Sequence, residues 1–225
     1  MITLAVFLFA LLIPIIYSLK NDKKELKSIF LITLCCIALV IFYPITDYLS
    51  ILIPLIGYSL GKFILFVMFP VITVFYIENW NLKDIFSKLG VKKKNISKSV
   101  FYGLITEIVT IIITVFILSF TLIESQFDLV YRTIMFFEAF TEEFFFRGFL
   151  FLYLIKKTDL KVAYATSILG FILIHPQHFS RWFLISTISQ GILLTIVAEK
   201  TKNIIGTWLS HGLNRFVPTL IRIFI

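Results

Sequence analysis

Fifteen of the sixteen lysines of this 225-residue chain fall in four short clusters, Lys20–Lys27, Lys83–Lys98, Lys156–Lys161 and Lys200–Lys202. Long apolar stretches separate one cluster from the next. The connections between clusters carry Asp47, then Glu124 and Asp128, then Arg181, and no lysine. Lysine-rich connections stay on the cytoplasmic face of a membrane protein, so the alternation predicts a chain that crosses a bilayer repeatedly. Eight apolar stretches can be drawn: Ile2–Leu19, Ser28–Tyr43, Leu49–Ile77, Ser99–Ile123, Leu129–Ile155, Val162–His175, Trp182–Ala198 and Ile204–Phe224. Each approaches the ~20 apolar residues that a spanning helix needs, the sixth falling short. Both termini are then expected on the non-cytoplasmic side.

Composition agrees. The chain is 59% hydrophobic and 15% charged, a balance outside the range of soluble domains. Membrane β-strands would alternate apolar and polar residues, whereas these runs are continuous. The expectation is therefore an all-α, polytopic membrane protein, residues 1–225 forming one bundle. The third stretch holds Pro54, Gly57, Gly61 and Pro70, which predicts a kink or a split. The first, without a basic region before it or a small-residue cleavage site after it, reads as a retained helix rather than a signal peptide. Cys35 and Cys36 are adjacent and do not reveal a redox compartment. The net charge of +8 is accounted for by topology, and no basic patch with interleaved aromatics points to nucleic acid. Lys92-Lys93-Lys94 is expected to meet anionic lipid headgroups.

Against this background, Glu142-Glu143-Phe144-Phe145-Phe146-Arg147 stands out. A charge at the bilayer centre costs at least ~2.5–3.5 kcal/mol, and such residues mark functional sites. Glu143 and Arg147 are four apart, with Glu first, the better order for a pair on one helix face. Glu142 is rotated by ~100° and is expected to stand apart from that pair. A desolvated carboxylate suits general acid or base work. Glu138 lies four residues before Glu142, on its face. A base needs a water, and a cleaved carbonyl needs an oxyanion donor; His175, His211 and Asn214 are the candidates to supply them. His211 and Asn214 are three apart and so adjacent on a helix. Glu142, His175 and His211 are expected to converge on one wet cavity open to the cytoplasm. Asn214 should line it and Arg215 should point ~100° away from Asn214. His178 reads as an exposed interfacial residue, and Glu107, with Thr106, Thr110 and Thr114, as a hydrogen-bonding stripe between helices.

Glu-Glu-x-x-x-Arg, then Phe171-x-x-x-His175, then His211 in a late span resemble, in that order, the CAAX-protease and bacteriocin-processing (Abi-type) intramembrane proteases, which include the type II prenyl-protein endopeptidases. The resemblance covers Glu138 to Arg215. It implies that Glu142 and His175 activate the attacking water, that Glu143 and Arg147 organise the site, and that the third motif supplies oxyanion stabilisation. That motif is usually His-x-x-x-Asn. Here position 215 is Arg and the Asn stands one residue early, so Asn214 and Arg215 compete for the role.

The family carries a metalloprotease label. One carboxylate and two histidines, Glu142, His175 and His211, could hold zinc with an open position. His-Glu-x-x-His is absent, and a glutamate base helped by histidine needs no metal; the reading leans to the metal-free form. The expected function is an intramembrane endopeptidase acting on a membrane-associated or lipidated peptide, with lipid as the other partner. The alternative is a non-hydrolytic protein of the same fold, either an immunity or scaffold protein or a small proton-coupled transporter. A transporter would often show related halves with broken helices in matching positions, which this sequence lacks.

Overall fold

Runs of Leu, Ile, Val and Phe in lipid leave every backbone amide to be satisfied within its own segment, which favours helices throughout. The computed structural model describes residues 5–120, 128–179 and 182–223. Ile2, Ile123, Glu124, Arg181 and Phe224 lie outside them. Among the described residues there are ten helices and no strand. They are α1 Val6–Asn21, α2 Lys23–Phe42, α3 Ile45–Leu52, α4 Gly57–Glu78, α5 Leu82–Lys88, α6 Ile96–Ser119, α7 Leu129–Glu143, α8 Leu160–Leu173, α9 Phe183–Thr201 and α10 Ile205–Ile223.

Local chemistry sets the ends. Asn81, Asp128 and Asp159 cap α5, α7 and α8, each side chain accepting a backbone N–H three residues on, which satisfies a donor that the first turn leaves free. Asn79 and Lys202 end α4 and α9 in the left-handed conformation. The third apolar stretch does split. Pro54 and a left-handed Leu55 separate α3 from α4, and the two pack so closely that a Cβ on Gly57 would meet the Leu49 carbonyl at 1.9 Å.

Among the described residues, four helices, α2, α4, α6 and α9, are long and apolar enough to cross a membrane, against the eight crossings expected. α1 and α8 are shorter apolar helices, while α7 and α10 carry ionisable groups that neighbouring helices cover. The outer faces are apolar: Phe30, Ile72, Phe101, Ile108, Ile112 and Phe116 are all more than half exposed, which suits hydrocarbon and not water. The chain is an integral membrane protein.

Two features shape the polar interior. First, the lysine clusters meet at one end of the bundle. Lys157 Nζ lies 3.1 Å from Glu25 and 2.9 Å from Glu78. Asn203 Nδ2 donates to the carbonyls of Lys92 and Lys94 at 2.7 and 3.0 Å, and Asn95 Nδ2 donates to Thr201 at 3.0 Å. Second, α7 runs on into ten residues of π-helix, Phe144–Tyr153, every one of them buried. Phe145 packs edge-on against Phe7 and Phe66 at 6.1 and 5.1 Å. This aromatic mass is the core, and it fills the lysine-bearing half.

Candidate active site

Six ionisable side chains come together inside the bundle: Lys62 on α4, Glu138, Glu142 and Glu143 on α7, Arg147 on its π-helical continuation, and Arg215 on α10. All but Arg215 are buried. Glu143 and Arg147 form the expected pair, with Arg147 Nη1 donating to Glu143 Oε1 at 3.0 Å. Arg147 also donates to the Gln190 carbonyl at 3.2 Å, and its guanidinium lies 4.1 Å over the Phe171 ring.

Glu142 does not stand alone, as its place on the helical wheel suggested. Its Oε1 is bound by Lys62 and by Arg215, whose Nη2 lies 2.7 Å away. Both cations also reach Glu138. Three carboxylates thus face three cations, and the set is neutral, as a low-dielectric interior demands. Arg215 was expected to point away and instead reaches into the site. It follows His211 by four residues, which on a helix is a turn of only ~40°, and Arg215 Nε donates to His211 Nε2 at 3.2 Å. The expectation compared Arg215 with Asn214 alone and missed this neighbour. Lys62 was missed altogether. Its signal was present, since it is the single lysine outside the four clusters.

The two histidines flank the other oxygen of Glu142. His175 Nε2 lies 3.7 Å and His211 Nε2 3.8 Å from Glu142 Oε2, which has no hydrogen-bond partner among the described residues. His175 Nδ1–H donates to the Phe171 carbonyl at 2.8 Å, so its Nε2 lone pair faces the carboxylate. His211 Nδ1–H donates to Glu143 Oε1 at 2.8 Å. Phe171 packs edge-on against both imidazoles, at 4.9 and 5.8 Å. This gives the Phe-x-x-x-His spacing a physical reason: one residue supplies both the carbonyl and the wall.

Lys62, Glu142, Phe171, His175, His211 and Arg215 line a cavity of about 670 Å³. Asn214 lines it, and its Oδ1 accepts from Thr114 Oγ1 at 3.2 Å. His178 also lines it, against the expectation of an interfacial residue: its ring stacks on His175 at 5.4 Å and its Nδ1 bonds Thr187 Oγ1 at 2.6 Å. Glu107 bridges α6 and α10 as expected, accepting from Thr110 and Ser210 at 3.1 and 3.2 Å.

The mouth is not where the sequence placed it. The lining includes Tyr43, Pro44 and Asp47 between α2 and α4, Tyr131 and Arg132 at the start of α7, and Pro176 and Gln177 between α8 and α9. All belong to the lysine-free end. The π-helical core, whose ten residues are all buried, fills the lysine-bearing end.

The donors present do not fit zinc. Among the described residues, no three His, Cys, Asp or Glu side chains are arranged to hold a metal ion. Moreover, Glu142 Oε1 accepts from Lys62 and Arg215, and His211 Nε2 accepts from Arg215. A cation there would displace both and face their charge.

The order of these residues along α7, α8 and α10 has a counterpart among known proteins. Residues 124–217 match the family model of the Rce1-like type II CAAX prenyl endopeptidases. No curated protein and no solved structure matches the chain. The Rce1-like match takes in Glu138, Glu142, Glu143, Arg147, His175, His211 and Arg215 and leaves out Lys62. One member of the buried charge set therefore comes from the part of the chain that the match does not reach.

Proposed function

We propose that the chain is an intramembrane endopeptidase that cleaves a peptide bond in a membrane-associated substrate by direct attack of water. The observation that carries this reading is the meeting of Glu142 Oε2 with the Nε2 atoms of His175 and His211, at 3.7 and 3.8 Å, in a cavity that all three residues line. A water donating to Glu142 Oε2 and His175 Nε2 would be held between two acceptors within hydrogen-bond reach of each. It passes a proton to this pair as its oxygen attacks the carbonyl carbon. The developing oxyanion needs donors, and Arg215 and Lys62 are the cationic donors nearest Glu142. The C–N bond then breaks, and the retained proton leaves on the amine. Glu143 positions His211 and Arg147 positions Glu143. No step calls on a metal.

The membrane topology belongs to the same proposal: eight crossings, lysine-rich loops cytoplasmic, both termini outside. The non-hydrolytic scaffold reading draws on one observation, the neutralisation of Glu142 by Lys62 and Arg215. The experiment that separates the two readings is cleavage of fluorogenic peptides by the purified protein, comparing a prenylated CAAX peptide with its unprenylated form. Hydrolysis that Glu142→Gln abolishes supports the protease. No hydrolysis of any peptide, with the fold intact, leaves the scaffold.

A further inference from the structure

We propose that the catalytic cavity opens to the non-cytoplasmic side of the membrane, so that its substrate is a secreted or outward-exposed membrane-anchored peptide. The substrate class rests on the protease reading; the direction of opening does not.

Two independent observations meet here. The first is the gathering of all four lysine clusters at one end of the bundle, tied by Lys157 to Glu25 and Glu78 and by Asn203 to Lys92 and Lys94. Fifteen lysines lie there, while the connections at the other end hold none. Such a bias sets orientation and places the lysine end in the cytoplasm. The second is the location of the cavity. Its lining runs from exposed Asp47 and Gln177 and half-buried Arg132 to buried Lys62, Thr114, Glu142 and His211. On α4 and α9 the lining residues lie in the half of each helix nearer the lysine-free connections, namely Tyr58, Lys62 and Phe66, then Phe183, Ser186, Thr187 and Gln190. On α6, Thr114 lies near the last turn before one.

The path the other way is closed. Between Glu142 and the lysine end stand Phe144, Phe145, Phe146, Phe149, Phe151 and Tyr153, all with no exposed surface. A peptide entering from the cytoplasm would have to part this core, whereas one entering from outside meets a polar mouth. A cytoplasmic protein lipidated at its C-terminus cannot reach Glu142 by the open route. A peptide exported or anchored with its cleavage point outside can.

Cysteine labelling of the full-length protein in cells decides the side. Cys35 and Cys36 are buried and set a low background. Gln177→Cys at the cavity rim should react with a membrane-impermeant maleimide in intact cells as fully as after permeabilisation. Lys93→Cys should lose its labelling unless the membrane is opened. The reverse pattern overturns the proposal and leaves the protease reading standing, as does a Gln177→Cys that stays unlabelled even in detergent. Sealed vesicles of each orientation, given an impermeant fluorogenic peptide, decide the substrate class. Cleavage by right-side-out vesicles, lost in Glu142→Gln, is expected; cleavage confined to inside-out vesicles overturns it. Absence of cleavage in both and in detergent overturns the protease reading and the substrate class with it, while the labelling still decides the direction of opening.

Discussion

Glu143 holds His211 in place: its Oε1 accepts the imidazole Nδ1–H at 2.8 Å, and the same oxygen accepts from Arg147 Nη1 at 3.0 Å. One buried carboxylate thus joins α7 to α10 and fixes which nitrogen of His211 faces Glu142. Removing it should damage both fold and function. Glu143→Ala leaves Arg147 unpaired in low dielectric, for which ~3–5 kcal/mol of lost stability is typical. The double change Glu143→Gln with Arg147→Met should be more stable than either single variant. Melting in detergent checks this, and single variants as stable as wild type would refute the pairing.

Glu142→Gln should lose on the order of 10²-fold or more in kcat, as expected for a general base. It should also lower the melting temperature, because Lys62 and Arg215 then share the single carboxylate of Glu138 among the described residues. Turnover close to wild type would remove Glu142 from catalysis. An unchanged melting temperature would contradict the ion pairs.

Lys62→Met should destabilise the protein, since Glu138 and Glu142 lose a shared cation; breaking a buried pair typically costs ~3–5 kcal/mol. Lys62→Met with Glu138→Gln restores neutrality and should recover much of that loss. If the double variant melts below the single one, charge balance is not what Lys62 provides.

His175→Gln should reduce kcat by on the order of 10²-fold, the range for a group that moves a proton, with melting little changed because the imidazole is partly exposed and its hydrogen bond goes to the Phe171 carbonyl four residues before it. A loss confined to KM would make it a binding residue instead.

Lys156 gives a prediction about pH. Burial, with Lys88 next in effect, pushes its ammonium from the ordinary 10.5 down to about 8. As pH falls from 10.5 to 8 the unfolded chain takes up this proton before the folded one does, so stability falls over that window. Below about 8 the loss is complete, and above 10.5 it is absent. Lys156→Gln should therefore raise stability at neutral pH, with the gain vanishing at high pH. Thermal melts across this range check the sign.

The membrane class and the Glu143–Arg147 pair were legible in the residues because each is a local matter. Hydropathy over one segment and charges one turn apart both depend on near neighbours. His175 and His211 were found the same way, as polar groups costly to lipid and spaced like those of a known family. Lys62, the reach of Arg215 and the position of the cavity mouth were decided by the tertiary structure. Lys62 and Glu142 are eighty residues apart, and only packing α4 against α7 brings them together. The mouth depends on which half of the bundle the aromatic residues fill, and the π-helical turn after Glu143 settles that by burying all ten of its residues. Sequence determines which groups cannot be left in lipid; the packing of helices determines which partners they find and from which side water reaches them.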